Sequence, residues 1–325
     1  MFEFHDPALT PESSVAEKCA WLTNRYIKLD RDVALEEQIA GLFKMGDDDA
    51  RTAEPMIDSL TGETRGMMVV GNSGSGKSAL LRRTLRSSGV LSIAGRETEG
   101  NTLYLTVPPE ATIKALATSI AEATGYPKVS SRAKSYETWS IARHRLGERG
   151  IGLLVIDEAH HLMRRGSGKD VEGAIQTMKS LLQGEHPVAV IIAGVQKLPD
   201  AIMEDPETDS RFPKFELPRL LEGSKDAASF ARGIQTCARA LGLQMPEDGT
   251  LTDRILFAEA GSMGRSVRLA KNIMMNVLMD GRSQIRLQDA HRAFAMRYGS
   301  FPQSPFDAYE WLALRQDLID GGWSR

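Results

Sequence analysis

The segment GNSGSGKS, residues 71–78, constrains the fold of this chain more than any other feature. It is a complete G-x-x-x-x-G-K-[ST] motif, in which a glycine-rich loop joins a buried strand to a helix. The apolar run MMVV precedes it and the helical segment SALLRRTLRSS follows it, so both flanking elements are present. We therefore predict a strand–loop–helix unit whose loop wraps a phosphate at the positive end of the helix. These flanks disfavour the alternative of a Gly/Ser-rich turn without a ligand.

Each part of this loop has an expected task in binding ATP and Mg²⁺, the two predicted cofactors. Backbone N–H groups surround the β-phosphate, Lys77 reaches the β- and γ-phosphates, and the Ser78 hydroxyl ligates Mg²⁺. The predicted nucleotide-binding residues of the loop are Gly71, Asn72, Ser73, Gly74, Ser75, Gly76, Lys77, Ser78 and Ala79.

A second motif places two carboxylates, Asp157 and Glu158, after the apolar run LLVI. Asp157 is placed to hold Mg²⁺, directly or through water, together with Ser78. Glu158 can polarise the water that attacks the γ-phosphate. Strands often end in acids, but the position downstream of a phosphate loop favours the catalytic interpretation. The chain is thus predicted to be a Mg²⁺-dependent ATPase with Lys77, Asp157 and Glu158 as catalytic residues.

Four apolar runs, MMVVG, TLYLTV, GIGLLVID and PVAVIIAG, predict a parallel sheet. Their hydrophobicity is flat rather than alternating, which is typical of strands covered on both faces. Amphipathic segments between them complete a βαβ rhythm. The run TLYLTV separates the two motifs, which favours the additional-strand class of NTPases over the kinase class. The predicted fold is α/β: a P-loop NTPase αβα sandwich with a parallel sheet, followed by a small helical lid.

The remaining patterns predict four regions along the chain. Residues 14–43 have helical spacing, and the polar stretch MGDDDARTAEP after them is typical of a linker or exposed loop. Four or five short helices follow Leu217, and the tail from Phe301 is less regular. The predicted regions are an N-terminal helical segment with linker at 1–50, the core at 51–220, the lid at 221–300 and the tail at 301–325.

Composition excludes several classes of protein. Apolar residues make up 42% and charged residues 26%, so a largely disordered chain is excluded. With 40 basic and 43 acidic residues, the bulk net charge of −3 by itself predicts no polyanion partner and leaves only local basic patches as an alternative. The two cysteines, Cys19 and Cys237, lie far apart in the sequence and disfavour a secreted disulfide framework. The chain has neither a signal-peptide pattern nor an apolar run of about 20 residues, so we expect a cytoplasmic protein without a membrane partner.

The order of these motifs resembles that of AAA+ ATPases: P-loop, intervening strand, DEAHHL, a further buried strand, then Arg211-Phe212 and a helical lid. More narrowly, the chain is similar to TniB/TnsC-type transposition regulators and their relative IstB. The similar stretches are YIKLDRDVALEEQI, GVQKLPDAIMEDPETDSRFPKFELP and FPQSPFD. The resemblance covers most of residues 20–306, and its narrower marker is the Arg-Phe-x-x-x-x-Leu-Pro stretch.

The resemblance implies further nucleotide-contacting residues. Arg211 corresponds to an arginine finger that acts on the nucleotide of a neighbouring subunit; the alternative is a salt bridge within the chain to Asp205, Glu207 or Asp209. Arg265 or Arg268 corresponds to a second sensor of the γ-phosphate, and the sequence does not decide between them. The chain departs from the family at Val195, where a polar sensor is usual. Either Gln196 replaces that sensor, or hydrolysis is slow and the ATP-bound state is long-lived.

The resemblance also implies duplex DNA that threads through an oligomer and is held by its phosphates with little sequence preference. The candidate contacts follow the second predicted strand: Thr112, Lys114, Lys128, Arg132 and Lys134. A second basic loop holds Arg164, Arg165 and Lys169. For both clusters the alternative is an ordinary solvated surface.

The function implied is that of an ATP-dependent regulator of DNA transposition. Such a protein forms a head-to-tail ring or helical filament on DNA, recruits or activates a transposase, and works with a target-selection protein. The alternatives are a stand-alone, kinase-like P-loop enzyme, a non-catalytic adaptor whose nucleotide sets its shape, and an AAA+ replication initiator or loader. The last would carry a winged-helix or collar domain, for which the 25 residues after Ser300 leave little room.

Overall fold

The computed structural model describes residues 9–10, 12–47, 49–109, 111–163, 168–196 and 210–323, with the backbone alone at 163, 168–172 and 174. The contacts divide the chain into two compact units. The core unit comprises Arg31–Ser73 and Lys77–Pro218, and the helical unit comprises Met1–Asp30, Gly74–Gly76 and Arg219–Arg325.

The core unit contains two sheets. The strands are β1 (Phe43–Met45), β2 (Arg51–Pro55), β3 (Gly66–Val70), β4 (Ile93–Ala94), β5 (Thr102–Thr106), β6 (Leu153–Asp157), β7 (Ala189–Gly194) and β8 (Lys214–Glu216). The first two form an antiparallel pair, and the other six form a parallel sheet in the order β4-β5-β6-β7-β3-β8. Strand β7 thus lies between the strand before the phosphate loop and the strand that ends in Asp157. The predicted additional-strand arrangement is confirmed.

Every residue of β3, β6 and β7 is buried, because helices cover both faces of the sheet. The helices associated with this unit are α2 (Asp30–Ala40), α3 (Lys77–Ser87), α4 (Ile113–Ala123), α5 (Ser135–Glu148) and α6 (Gly168–Leu181), with a 3₁₀-helix at Ala159–Met163. Alternate strand residues pack on opposite sides, where α2 and α3 cover one face and α4, α5 and α6 cover the other. This two-sided burial is the reason for the flat apolar runs.

The helical unit packs around a core of its own. It contains α1 (Val15–Asn24), α7 (Lys225–Ala240), α8 (Leu251–Ala258), α9 (Met263–Met279), α10 (Leu287–Tyr298) and α11 (Trp311–Asp320). Phe230, Ile255 and Phe294 are fully buried at its centre, and Leu22 of α1 joins them. In the described part of the chain, every helix is too short or too polar to cross a membrane.

The structure corrects three expectations of local structure. The helical region predicted at 14–43 is two helices, because the backbone becomes extended at Arg25, with φ −67° and ψ 135°. The predicted linker at 45–55 instead supplies part of the β1–β2 hairpin, in which Phe43 pairs with Pro55 and Met45 with Arg51. Backbone hydrogen bonds hold these two strands together, and their sequences contain too few apolar residues to predict strands. The tail after Phe301 is more regular than predicted, since α11 buries Trp311, Leu314 and Leu318.

Candidate nucleotide-binding site

The phosphate loop joins β3 to α3, as the sequence predicts. Gly74 and Gly76 have φ values of +79° and +94°, which residues other than glycine rarely adopt. Lys77 opens α3 and is only 5% exposed. Its Nζ donates hydrogen bonds to the carbonyl oxygens of Gly71 at 2.7 Å and Asn72 at 3.1 Å, so its ammonium group curls back over the start of the loop.

The Lys77 ammonium lies in an electrostatic environment suited to an anionic ligand. Burial lowers its pKa below the usual 10.5, while the nearby carboxylates of Glu158 and Asp157 act in the opposite direction. A desolvated cation gains more from a phosphate than a solvated one, because water screens the attraction less.

Asp157 and Glu158 are consecutive, yet they face different surroundings. Asp157 is 1% exposed, and its Oδ1 accepts a hydrogen bond from the Glu158 backbone N–H at 2.9 Å. Glu158 adopts a φ of +56°, an uncommon conformation for a residue with a side chain, at the point where β6 ends. Its side chain is 35% exposed and pairs with His160, with 3.2 Å between Glu158 Oε2 and His160 Nδ1. One carboxylate is therefore fixed inside, and the other reaches solvent.

The structure adds a site residue that the sequence analysis missed, Tyr104 of β5. Its hydroxyl donates to Asp157 Oδ2 at 2.6 Å, and the Ser78 side chain is near enough to affect the pKa of the phenol, which it lowers slightly. Burial and the bond to Asp157 raise the pKa of the Tyr104 phenol, so the hydroxyl keeps its proton. The only signal available was a tyrosine within an apolar run, which is equally typical of a core residue.

The predicted Mg²⁺ ligands, Ser78 and Asp157, both lie near this phenol. Asp157 accepts its hydrogen bond, and Ser78, on a different element of the core unit, is near enough to influence its pKa. They offer a hydroxyl and a carboxylate oxygen, the hard donors that Mg²⁺ prefers. The residues present therefore fit Mg²⁺.

The predicted γ-phosphate sensor remains a prediction. Strand β7 ends at Gly194, after which Val195 is half-buried and Gln196 is exposed. Gln196 is thus accessible at the carboxyl end of a strand that neighbours β3 and β6.

Arg211 forms a two-point ion pair with Glu63. Its Nε donates to Glu63 Oε2 at 2.8 Å and its Nη2 donates to Oε1 at 3.0 Å. Both side chains are about one-fifth exposed, at 19% and 20%. The salt-bridge partners considered from the sequence, Asp205, Glu207 and Asp209, lie outside the described residues. Glu63 went unnoticed because 148 residues separate it from Arg211.

Within the helical unit, the two candidate second sensors have different environments. Arg265 Nη2 donates to the backbone oxygen of Glu259 at 3.0 Å, and its Nε lies 3.4 Å from the buried carboxylate of that residue. Its Cγ would be 2.7 Å from a Cβ added at Gly74, whereas Arg268 is exposed. Ser262, also missed from the sequence, donates its hydroxyl to the Gly74 carbonyl at 3.0 Å. The geometry therefore favours Arg265 over Arg268 as the residue that contacts the phosphate loop.

The predicted DNA contacts lie in the core unit, at the start of α4 and in the segment between α4 and α5. Thr112 caps α4 by accepting the Ala115 N–H at 3.1 Å. Lys114 Nζ donates to the Ser131 carbonyl at 2.9 Å, which ties α4 to the loop before α5. The exposed cations of that loop are Lys128, Arg132 and Lys134. Arg164, Arg165 and the side chain of Lys169, the second basic loop, lie outside the described residues.

Three solved structures show the fold of the chain. It is similar to the Aeropyrum pernix ORC1 protein in complex with DNA, with 17% identity and a TM-score of 0.56 over 85% of this chain and 67% of that chain. The ORC2 protein of the same organism, in ADPNP-ADP complexes, matches at 14% identity and 0.56 over 84% and 70%. Pyrobaculum aerophilum Cdc6p matches at 17% identity and 0.58 over 84% and 69%. These likenesses confirm the AAA+ P-loop fold with a helical C-terminal region.

No curated protein matches the sequence at a significant level. A family profile described as "Bacterial TniB protein" matches residues 55–222, which is more than half of the chain. That segment contains the phosphate loop, Asp157, Glu158 and Arg211. The resemblance drawn from the motifs is confirmed, and the chain belongs to the bacterial TniB family.

Proposed function

We propose that this protein is an ATPase that assembles on duplex DNA and regulates DNA transposition. The observation that carries the proposal is the site built by Lys77, Asp157 and Glu158 on a P-loop core. Membership of the TniB family supports the transposition role. A transposase and a target-selection protein are the proposed protein partners.

Each site residue has a role in the proposed hydrolysis. Lys77 exchanges the carbonyls of Gly71 and Asn72 for the β- and γ-phosphate oxygens of ATP. Ser78 and Asp157 hold Mg²⁺, which neutralises charge on the phosphoryl oxygens when it is bound. Glu158 accepts a hydrogen bond from the attacking water and orients it toward the γ-phosphorus. Its exposure suits this role, because the water must enter from solvent.

Arg211 is proposed to complete the site of a neighbouring subunit. In a single chain its guanidinium is neutralised by Glu63, and in the assembly a γ-phosphate replaces that carboxylate. The same planar fork recognises carboxylate and phosphate, so the exchange needs no change in hydrogen-bonding chemistry. Arginine fingers accelerate phosphoryl transfer by roughly 10³–10⁵-fold in other systems.

The DNA interface is proposed at the cluster of Lys114, Lys128, Arg132 and Lys134. Their positive charges suit phosphates, which supply most of non-specific affinity. The likeness to ORC1, solved in complex with DNA, is consistent with this role. The same likeness favours a second candidate, an AAA+ replication initiator or loader. The family match favours transposition.

The test is assembly measured by light scattering and electron microscopy with ATP, ADP or no nucleotide, each with and without duplex DNA. We expect large assemblies with ATP and DNA and none with ADP, because a finger that reads the γ-phosphate couples nucleotide to subunit contact. Lys77→Ala should not assemble. A wild-type protein that stays monomeric in all six conditions contradicts the proposal and supports the stand-alone enzyme.

A pair of variants separates the finger from the salt bridge. Arg211→Ala should weaken assembly and ATP hydrolysis together, whereas Glu63→Gln should retain both, since it leaves the guanidinium in place. Arg239→Ala, at an exposed arginine of α7, is the control. Equal losses in Arg211→Ala and Glu63→Gln would show that the intrachain pair is the important interaction.

A further inference from the structure

Tyr104 is held by two elements of the core unit at once. It packs beside the buried residues of the sheet face that α3 covers. From α3, the Arg82 guanidinium carbon lies 4.1 Å from the ring centroid, and the Ser78 side chain is near enough to the hydroxyl to influence its pKa. Ser78 and Arg82 are one helical turn apart and therefore lie on the same face of α3. The Tyr104 side chain therefore lies against a single face of α3.

The second element is β6, which presents Asp157 to the phenol. Strands β5 and β6 are parallel, with Tyr104 opposite Val155 and Thr106 opposite Asp157. Tyr104 therefore points to the same sheet face as Asp157 but stands two residues nearer the strand start. A long side chain is needed to span that offset, and the phenol does so with a 2.6 Å hydrogen bond to Asp157 Oδ2.

This bond completes the hydrogen bonding of a buried carboxylate. Oδ1 is held by the Glu158 N–H and Oδ2 by the Tyr104 hydroxyl. With both oxygens held, the carboxylate is confined to one orientation. Groups that orient metal ligands in this way typically change metal affinity or activity by about 10–100-fold when they are removed.

We propose that Tyr104 is a positioning residue for the metal-bound nucleotide, whose hydroxyl aligns Asp157 so that this carboxylate and Ser78 hold one Mg²⁺. The inference rests on the proposed function, because it takes these two residues as the Mg²⁺ ligands. Tyr104 acts through Asp157, to which its hydroxyl donates directly. Its loss is therefore expected to affect the metal-dependent part of nucleotide binding alone.

The test is binding of a fluorescent ADP analogue, first in EDTA and then across a series of Mg²⁺ concentrations. Tyr104→Phe keeps the ring and its packing but removes the hydroxyl. We expect wild-type affinity in EDTA and a shift of the Mg²⁺ midpoint to at least about tenfold higher concentration. Tyr309→Phe, an exposed tyrosine of the helical unit, should match wild type.

Three results would overturn the inference: an unchanged Mg²⁺ midpoint, an equal loss of affinity in EDTA, or an unfolded Tyr104→Phe variant. The last would make the hydroxyl a structural group. A double variant tests whether Tyr104 acts through Asp157. If it does, adding Tyr104→Phe to Asp157→Asn should shift the Mg²⁺ midpoint little further. A further tenfold shift of the Mg²⁺ midpoint in the Asp157→Asn variant would show that Tyr104 does not act through Asp157. Wild-type protein that binds the analogue without any Mg²⁺ effect would instead contradict the proposed function.

Discussion

Two adjacent carboxylates at the end of β6 differ in burial and in hydrogen bonding. Asp157 is buried with both oxygens hydrogen-bonded, which holds its carboxylate in one orientation. Glu158 turns outward through a left-handed backbone conformation and meets His160. The Asp-Glu pair alone does not reveal this division, which arises from the single change in backbone direction between the two residues.

Glu158→Gln should retain ATP binding and lower hydrolysis by about 10²–10⁴-fold, because a neutral amide is a poor general base. Phosphate release and binding of a fluorescent ATP analogue, measured on the same preparation, check both halves of the prediction. Glu37→Gln, at an exposed position of α2, should hydrolyse ATP at the wild-type rate. Hydrolysis at the parental rate in Glu158→Gln would remove Glu158 from the catalytic set.

Helix α8 anchors the segment before α11 through one buried side chain. Arg254 is 1% exposed and donates to the backbone oxygens of Pro305, Asp307 and Tyr309 at 2.8, 3.1 and 2.8 Å. The Trp311 ring lies 5.0 Å from its guanidinium carbon. Three carbonyls of an irregular segment thus receive their donors from one arginine. This interaction explains why the tail is more ordered than its composition predicts.

Arg254→Leu should lower the free energy of unfolding by about 3 kcal/mol or more, because one buried and two partly buried carbonyls would lose their donors. Urea unfolding followed by tryptophan fluorescence checks this value, since Trp311 and Trp323 lie in the same region. Arg292→Leu serves as the control, because Arg292 is 63% exposed and its ion pair with Asp280 is 3.9 Å long. Equal stability of the two variants would contradict the anchoring role.

At the scale of the whole molecule, the net charge does not describe the local surface charge. The net charge of −3 predicts no affinity for DNA, yet Lys128, Arg132 and Lys134 are exposed together in one loop of the core unit. Salt screening confines electrostatic interactions to about 10 Å at 0.1 M salt. A nearby DNA phosphate would therefore be affected more by these local cations than by the net charge of the chain.

Replacing Lys128, Arg132 and Lys134 with alanine should weaken DNA binding for all sequences alike. The slope of log affinity against log salt should become shallower by about 0.9 for each DNA phosphate that the variant no longer neutralises. Fluorescence anisotropy with a short duplex, in ATP and over a salt series, measures both quantities. A triple alanine variant at the exposed cations Lys225, Arg239 and Arg292 is the matched control. Equal slopes in the two triple variants would place the DNA interface elsewhere.

The sequence by itself determined the class of fold and the residues of the candidate site that lie nearest the phosphate loop. A phosphate loop encodes its own geometry, because the glycines, the lysine and the helix start lie within eight residues. Buried parallel strands also show in the sequence, since covering both faces requires continuous apolar runs. For these reasons the P-loop core, Asp157 and Glu158 can all be identified from the sequence.

Only the tertiary structure decided the partners of these residues. Tyr104 meets Asp157 across 53 residues, Glu63 meets Arg211 across 148, and Ser262 meets Gly74 across 188. The contacts of Arg265 with Glu259 and Gly74 likewise appear only in the fold. Such pairings leave no periodic pattern in the chain, because they are set by strand register and helix packing. A sequence motif therefore specifies local backbone geometry, whereas the groups that orient its side chains are brought to it by the fold.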